Sequence, residues 1–239
     1  MVSEPRTIDS EIRSRAITRL CHLTPSRNLI HIVAEGQGIL STAQLEDDKR
    51  AVFTPQDPHR FDRHRDHISC TIEYPNAWYL EHKRNPVGEA ANFRDWAMLG
   101  IKPHHLTRAS TRFCPENAAG GHGESLKDGI EGFAAMYEPE VINSKGRSFK
   151  RTAARRLAVP TNDQAEAMIH RLIPLEDITT IFIPDTAQAA RHYFGLEQVG
   201  ADPGLFRYVI APTFFEAKKL SAEIRDGDIP TEIEWHPPD

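Results

Sequence analysis

Residues 21–29 read CHLTPSRNL, and His22, Thr24 and Asn28 bring an imidazole, a hydroxyl and a carboxamide close to one proline. Residues 17–24, ITRLCHLT, have the pattern of a short strand, and Pro25 suits the first position of a helix that runs to Gly36. A strand-to-helix corner sets those three side chains beside helix N–H groups that lack intrahelical partners. Such a corner suits a ribose, an amide or a phosphate. The competing reading makes Thr24 a plain helix cap and His22 a core histidine.

HRFDRHRDH, residues 59–67, invites a metal site. Its histidines do not form a HExxH pattern, however, and the interleaved arginines oppose a bound cation, so no metal is expected. It reads either as a loop tied by Arg–Asp pairs or as one that grips phosphates while Phe61 offers a stacking face. AAGGHGE, residues 118–124, lacks the GxxxxGK[ST] and GxGxxG phosphate motifs, so its glycines point to a tight turn. Ser125 has no GxSxG around it, which speaks against serine catalysis. Cys21, Cys70 and Cys114 are widely spaced without a CxxC and read as buried reduced thiols.

The positioning elements follow from pattern. ISCTIEY alternates as a strand, and Pro75 then opens a helix through NAWYLEHKR. FRDWAMLGI, TRFC, TTIFIPD and RYVIAP read as further strands, with helices at 125–138 and over TAQAARHYFGL. Residues 41–67 show no periodicity and carry Pro55 and Pro58, as functional loops often do. Short strands dispersed among helices without strict alternation indicate an α+β fold.

With 239 residues, 39% of them hydrophobic, the chain is expected to fold as one domain over 1–239, its C-terminal part 186–239 packing on the rest. Residues 161–239 carry 6 Lys/Arg against 14 Asp/Glu, whereas 1–160 carry 23 against 20, so a polyanion would meet the N-terminal part. No apolar stretch approaches membrane-spanning length and MVSEPRTIDSEIR has no signal pattern, so the expected location is cytoplasmic.

His-x-Thr-x-x-x-Asn-Leu, the long basic loop, the strand-Tyr-Pro-x-x-aromatic segment, FCPEN and Gln-Ala-Glu occur here in one order between about residues 17 and 185. Together they resemble the DarT family of bacterial toxins, which ADP-ribosylate bases of single-stranded DNA. The resemblance implies an ADP-ribosyltransferase fold with a split central β-sheet and NAD as substrate. It places His22, Thr24 and Asn28 on NAD, with Tyr74 and Tyr79 as aromatics over the nicotinamide, and makes Glu166 the catalytic carboxylate. The acceptor-activating arginine would lie in the long loop, with Arg50 first and Arg60 second.

Two positions depart from the family. Asn117 of FCPEN stands where thymine-modifying members carry histidine, and Pro160 or Thr161 stands where a basic residue is expected before the glutamate. Guanine is therefore an alternative to thymine as acceptor, since its exocyclic amine needs positioning more than ionisation. The basic stretches 49–65 and 145–156 are the expected strand-binding surfaces. The family context also implies a macrodomain antitoxin of the DarG type. The rival readings are transfer to RNA or protein, and a catalytically silent nucleic-acid-binding module.

Overall fold

The computed structural model describes residues 6–47, 62–84 and 95–238. The first third runs α1 (Ile8–Arg15), β1 (Leu20–Pro25), α2 (Ser26–Ala34), β2 (Ile39–Leu40), α3 (Thr42–Asp47), β3 (His67–Ile72) and α4 (Ala77–Arg84). Next come β4 (Trp96–Ile101), β5 (Arg112–Cys114), β6 (Lys127–Asp128), α5 (Gly129–Ala135), β7 (Glu140–Ile142) and β8 (Ser148–Lys150). The remainder is β9 (Glu166–His170), β10 (Leu172–Ile173), β11 (Ile178–Ile183), α6 (Thr186–Gln198), β12 (Arg207–Ile210), α7 (Ala217–Asp226) and β13 (Ile233–Trp235).

Nine strands form one mixed sheet in the order β13-β12-β11-β4-β1-β3-β9-β5-β6. The sheet is split in its middle. β1 pairs with β4 over all six of its residues, Leu20↔Ile101 to Pro25↔Trp96, and β3 pairs with β9 from His67↔His170 to Cys70↔Ala167. Between the two halves only Leu20↔Ile72 and Cys21↔Thr71 are paired. From His22 onward β1 turns away from β3, and a cleft opens between strands that are each anchored on their far side.

Strand alternation supplies two cores, one on each face. Ala97, Leu99 and Ile101 of β4 join Leu29, Phe113 and Phe133 in one cluster, while Trp96 and Met98 join Leu80, Phe182 and Phe214 in the other. β4 is buried on both faces, which is why WAMLGI reads as a continuous apolar run. The acidic C-terminal part extends this sheet: β12 runs parallel to β11, and β13 pairs with β12. Arg19, just before β1, grips Glu232 with both terminal nitrogens, at 2.9 and 2.5 Å.

Several elements differ from the sequence reading. α1 was not anticipated: it has no fully buried residue and rests on a reciprocal cap between Thr7 and Ser10. α7 was also missed, although Ala217, Leu220 and Ile224 form its buried stripe. The helix expected over 125–138 is only Gly129–Ala135, because Lys127 and Asp128 pair with β5 as an edge strand. The basic stretch 145–156 begins as the second half of a β7–β8 hairpin that stands apart from the main sheet.

Candidate active site

The split in the sheet holds the candidate site. A cavity of about 560 Å³ occupies it, within the range of small-molecule sites, and His22, Thr24, Asn28, Ser69, Asn117 and Glu166 are among the residues that line it. Where the β1–β3 ladder ends, His22 continues it with a side chain. Its Nδ1 lies 2.9 Å from the Ser69 carbonyl oxygen, which fixes that nitrogen as the donor and leaves Nε2 with the acceptor lone pair in the neutral ring.

Thr24 does not cap α2. It belongs to β1, is 3% exposed, and its Oγ1 accepts from Asn28 Nδ2 at 3.3 Å. Pro25 occupies the cap position with no side-chain bond to the helix, and Thr24, Pro25 and Asn28 all border the cavity. An α2 N-terminus without a capping side chain directs positive partial charge toward the cleft and favours an anionic group such as a pyrophosphate.

Glu166 opens β9, paired with Cys114, and is 7% exposed. Among the described residues Ser69, Ala118 and Asn117 hold its carboxylate. Ser69 donates its hydroxyl to Oε1 at 2.7 Å, the Ala118 N–H donates to Oε2 at 2.8 Å, and Asn117 Nδ2 lies 3.4 Å from Oε1. A buried carboxylate needs such donors, and each bond to a charged group contributes about 1.5–3 kcal/mol. Ser69 and the Ala118 N–H were not singled out by sequence. Ser69 was visible as the polar member of an alternating strand, but its partner lies 97 residues away.

Tyr79 borders the same cavity and meets Trp96 edge-on with ring centroids 6.4 Å apart. Tyr74 is not brought to it. It is 4% exposed in the core cluster that also holds Phe182 and Phe214, packs edge-on against Phe214, and accepts a 2.6 Å hydrogen bond from Arg156 at its hydroxyl. The reason is a left-handed residue at Glu73, φ 67, which ends β3 and turns the chain before Tyr74. Tyr74 is therefore a core residue, and the aromatic that meets Tyr79 at the cavity is Trp96.

One wall comes from the segment after α2. Gly38, at φ 88, lets the chain approach β10 so closely that a Cβ there would lie 2.2 Å from the Ile173 carbonyl. β2 then pairs with β10, and Ile39, Leu40, Thr42 and Leu45 face the cavity. Arg50, Arg60 and Phe61 lie outside the described residues. The described residues on either side of them, Leu45 before and Asp62 after, both border the cavity.

The end of HRFDRHRDH does gather ligating side chains, with His64, Asp66 and His67 inside 4.8 Å of one another. Asp66 lies 2.8 Å from His67 Nδ1 and 3.4 Å from His170 Nε2, and the Arg112 guanidinium comes within 3.4 Å of His64. Burial and then that guanidinium hold His64 below its ordinary pKa, and the same positive charge opposes a cation.

Three of the four arginines in the expected strand-binding stretch 145–156 are structural instead. Arg155, 7% exposed, donates to the Pro160 carbonyl at 2.7 Å and pairs with Asp163, while Arg151 donates to the Val159 and Arg156 carbonyls and Arg156 to Tyr74. These bonds brace the loop that leads into Glu166. The three cysteines are buried and unpaired, and burial pushes Cys21 and Cys114 up to about 12, far from nucleophilic use.

A protein-family model described as "ssDNA thymidine ADP-ribosyltransferase, DarT" matches residues 21–215. No curated protein matches. Among solved structures, Thermus sp. 2.9 DarT in complex with carba-NAD+ aligns with TM-score 0.51 at 15% identity, covering 83% of this chain and 97% of that one. Thermosipho africanus DarTG in complex with ADP-ribose aligns with TM-score 0.53 at 15% identity over 83% of this chain. Here the present chain spans about half of its relative, 51%. At these identities the structural likeness speaks for the fold, an ADP-ribosyltransferase split sheet, and the family match covers most of the sequence. The chain belongs to the DarT family of single-stranded-DNA thymidine ADP-ribosyltransferases.

Proposed function

We propose that this DarT-family ADP-ribosyltransferase binds NAD in the split of its sheet and uses Glu166 to carry ADP-ribose onto a base of single-stranded DNA. The observation that carries the reading is the buried Glu166 carboxylate, held by Ser69 and Ala118 on the wall of the cavity that His22, Thr24 and Asn28 also line. The donor set fits the substrate. The uncapped start of α2 suits the pyrophosphate, the His22 imidazole a ribose, and Tyr79 with Trp96 an aromatic ring.

The bond from ribose C1 to nicotinamide breaks with its electron pair on the nicotinamide nitrogen. A nitrogen of the acceptor base supplies the pair for the new bond at C1, and the base loses a proton. The reaction is thus a glycosyl transfer rather than a nucleotidyl transfer. Positive charge develops on the ribose ring, and a fixed carboxylate stabilises it while holding a ribose hydroxyl. Arg50, or Arg60 as second choice, positions the acceptor base by charge. Asn117, 3.4 Å from Glu166, stands beside the acceptor with hydrogen bonds but no proton to exchange.

The family description names thymidine, and guanine is the alternative that Asn117 keeps open. The same reading makes the protein a cytoplasmic toxin restrained by a macrodomain antitoxin of the DarG type, a pairing supported by the name of the Thermosipho relative. No described helix is long and apolar enough to cross a membrane. The test is incubation with labelled NAD and single-stranded oligonucleotides of restricted base content. Label should reach only strands that contain one base. Strands that bind normally yet stay unlabelled in every composition overturn the reading.

A further inference from the structure

The β7–β8 hairpin is tied to the catalytic wall by a carboxylate that no step above uses. Glu116 is 4% exposed, directly precedes Asn117, and accepts at Oε2 from the Ser144 N–H at 3.0 Å and the Ser144 hydroxyl at 2.8 Å. Its Oε1 accepts from Ser125 at 2.6 Å. Ser144 sits in the turn of the hairpin. Gly120 and Gly121, which approach Ser144, belong to the turn whose first N–H, that of Ala118, bonds Glu166.

Those glycines explain AAGGHGE. A Cβ on Gly121 would stand 3.3 Å from Ser144 Cβ and 3.4 Å from Glu116 Oε1, and one on Gly120 would stand 3.6 Å from Ser144 Oγ. The pair of glycines admits the hairpin rather than a phosphate.

The hairpin itself is built rigidly. Asn143 Oδ1 accepts from the backbone N–H groups of Lys145 and Arg147 at 3.1 and 2.8 Å, and Gly146 closes the turn at φ 76. Lys145, Arg147 and Lys150 are all exposed, and the Arg147 guanidinium lies 5.0 Å from the centre of the Phe149 ring, which orients it. Among the described residues neither Lys145 nor Arg147 is ion-paired, and the carboxylate on this hairpin, Glu140, is engaged by Ser148. Two unpaired cations on a fixed turn suit the phosphates of a nucleic-acid strand, and their link to Glu166 sets where that strand lies.

We propose that this hairpin grips backbone phosphates flanking the modified base, and that Glu116 is the positioning residue that keeps the grip in register with Glu166. The proposal rests on the nucleic-acid reading above but is measured without transfer. Fluorescence anisotropy of a labelled 20-nucleotide single strand should show about ten-fold weaker binding for Lys145→Ala/Arg147→Ala. Its log–log salt slope should fall by about 1.4, roughly 0.7 per lost phosphate contact.

Glu116→Gln should weaken strand binding several-fold and add little when combined with the double substitution. Ser144→Ala, an exposed position, provides the same test if Glu116→Gln does not fold. Where transfer is active, the double substitution should slow modification of the 20-mer at least five-fold more than that of the trinucleotide containing its modified base. Unchanged affinity and slope in the double variant overturn the grip, and fully additive effects overturn the positioning role. An inactive native protein whose strand binding still depends on Lys145 and Arg147 would sink the transferase reading and keep this one.

Discussion

Ser69 donates its hydroxyl to Glu166 Oε1 at 2.7 Å, and through its carbonyl the same residue receives the His22 ring at 2.9 Å. One β3 residue thus fixes the distance between the histidine of one half-sheet and the carboxylate of the other. The two halves share only two paired positions, so this bridge sets the width of the cleft.

Removing the hydroxyl separates these duties. Ser69→Ala keeps the carbonyl for His22 but takes one charged-acceptor bond from Glu166, worth about 1.5–3 kcal/mol in general. Turnover should drop about ten-fold with the KM for NAD within two-fold of native, and Ser69→Thr should restore turnover. A ten-fold rise in that KM at unchanged turnover would count against a role through Glu166.

Glu166→Ala should lower transfer by roughly 10²–10³-fold, the scale of losing one aimed electrostatic contact in a buried site. The thermal midpoint should stay within a few degrees, because the freed Ser69 and Ala118 donors border a cavity that admits water. Glu166→Gln preserves shape and removes charge, so it should be nearly as inactive. Full transfer by either variant removes Glu166 from the chemistry.

Tyr74→Phe discriminates the core assignment from a nicotinamide contact. Only the bond from Arg156 is lost, and burial holds the Tyr74 hydroxyl above its ordinary pKa, in its neutral form. Stability should fall by about 1–2 kcal/mol while the KM for NAD stays within two-fold of native. Arg155→Ala should cost more, about 3 kcal/mol, because it strands Asp163 and the Pro160 carbonyl. Denaturant titration reads both, and a rise in the KM for NAD in Tyr74→Phe would return Tyr74 to the site.

Stability should also fall between pH 6.5 and pH 4. Burial, the largest cause for both, pushes His105 and His192 down to about 4, whereas in the unfolded chain they titrate near the ordinary 6.5. Within that window the unfolded chain binds protons that the folded protein refuses, so stability is complete above 6.5 and is lost as pH drops. Asp66 and Asp177 are held below the ordinary carboxylate range, so the stability they add is present throughout this window and is lost only at lower pH. His192→Gln should remove its share of the slope in a midpoint-against-pH series, and a flat series from pH 7 to 4.5 would contradict the assignment.

The sequence by itself determined what is local. CHLTPSRNL had to be a strand entering a helix because Pro25 and the apolar spacing after it permit little else, and β3, β4, β11 and β12 announced themselves by strand alternation or continuous apolar runs. The order of motifs then identified the family and placed His22, Thr24, Asn28, Tyr79, Asn117 and Glu166, which the fold brings to one cavity.

Tertiary structure decided everything that depends on partners distant in the chain. Nothing near Tyr74 in sequence tells that it turns into the core after Glu73, and nothing in KGRSFKRTAARR separates the arginines that brace the loop before Glu166 from Arg147, left to solvent. Ser69 and Glu116 escaped notice for the same reason. A serine or glutamate becomes part of a site only when a donor or acceptor tens of residues away arrives within 3 Å, and that distance is set by the split of the sheet rather than by any spacing along the chain.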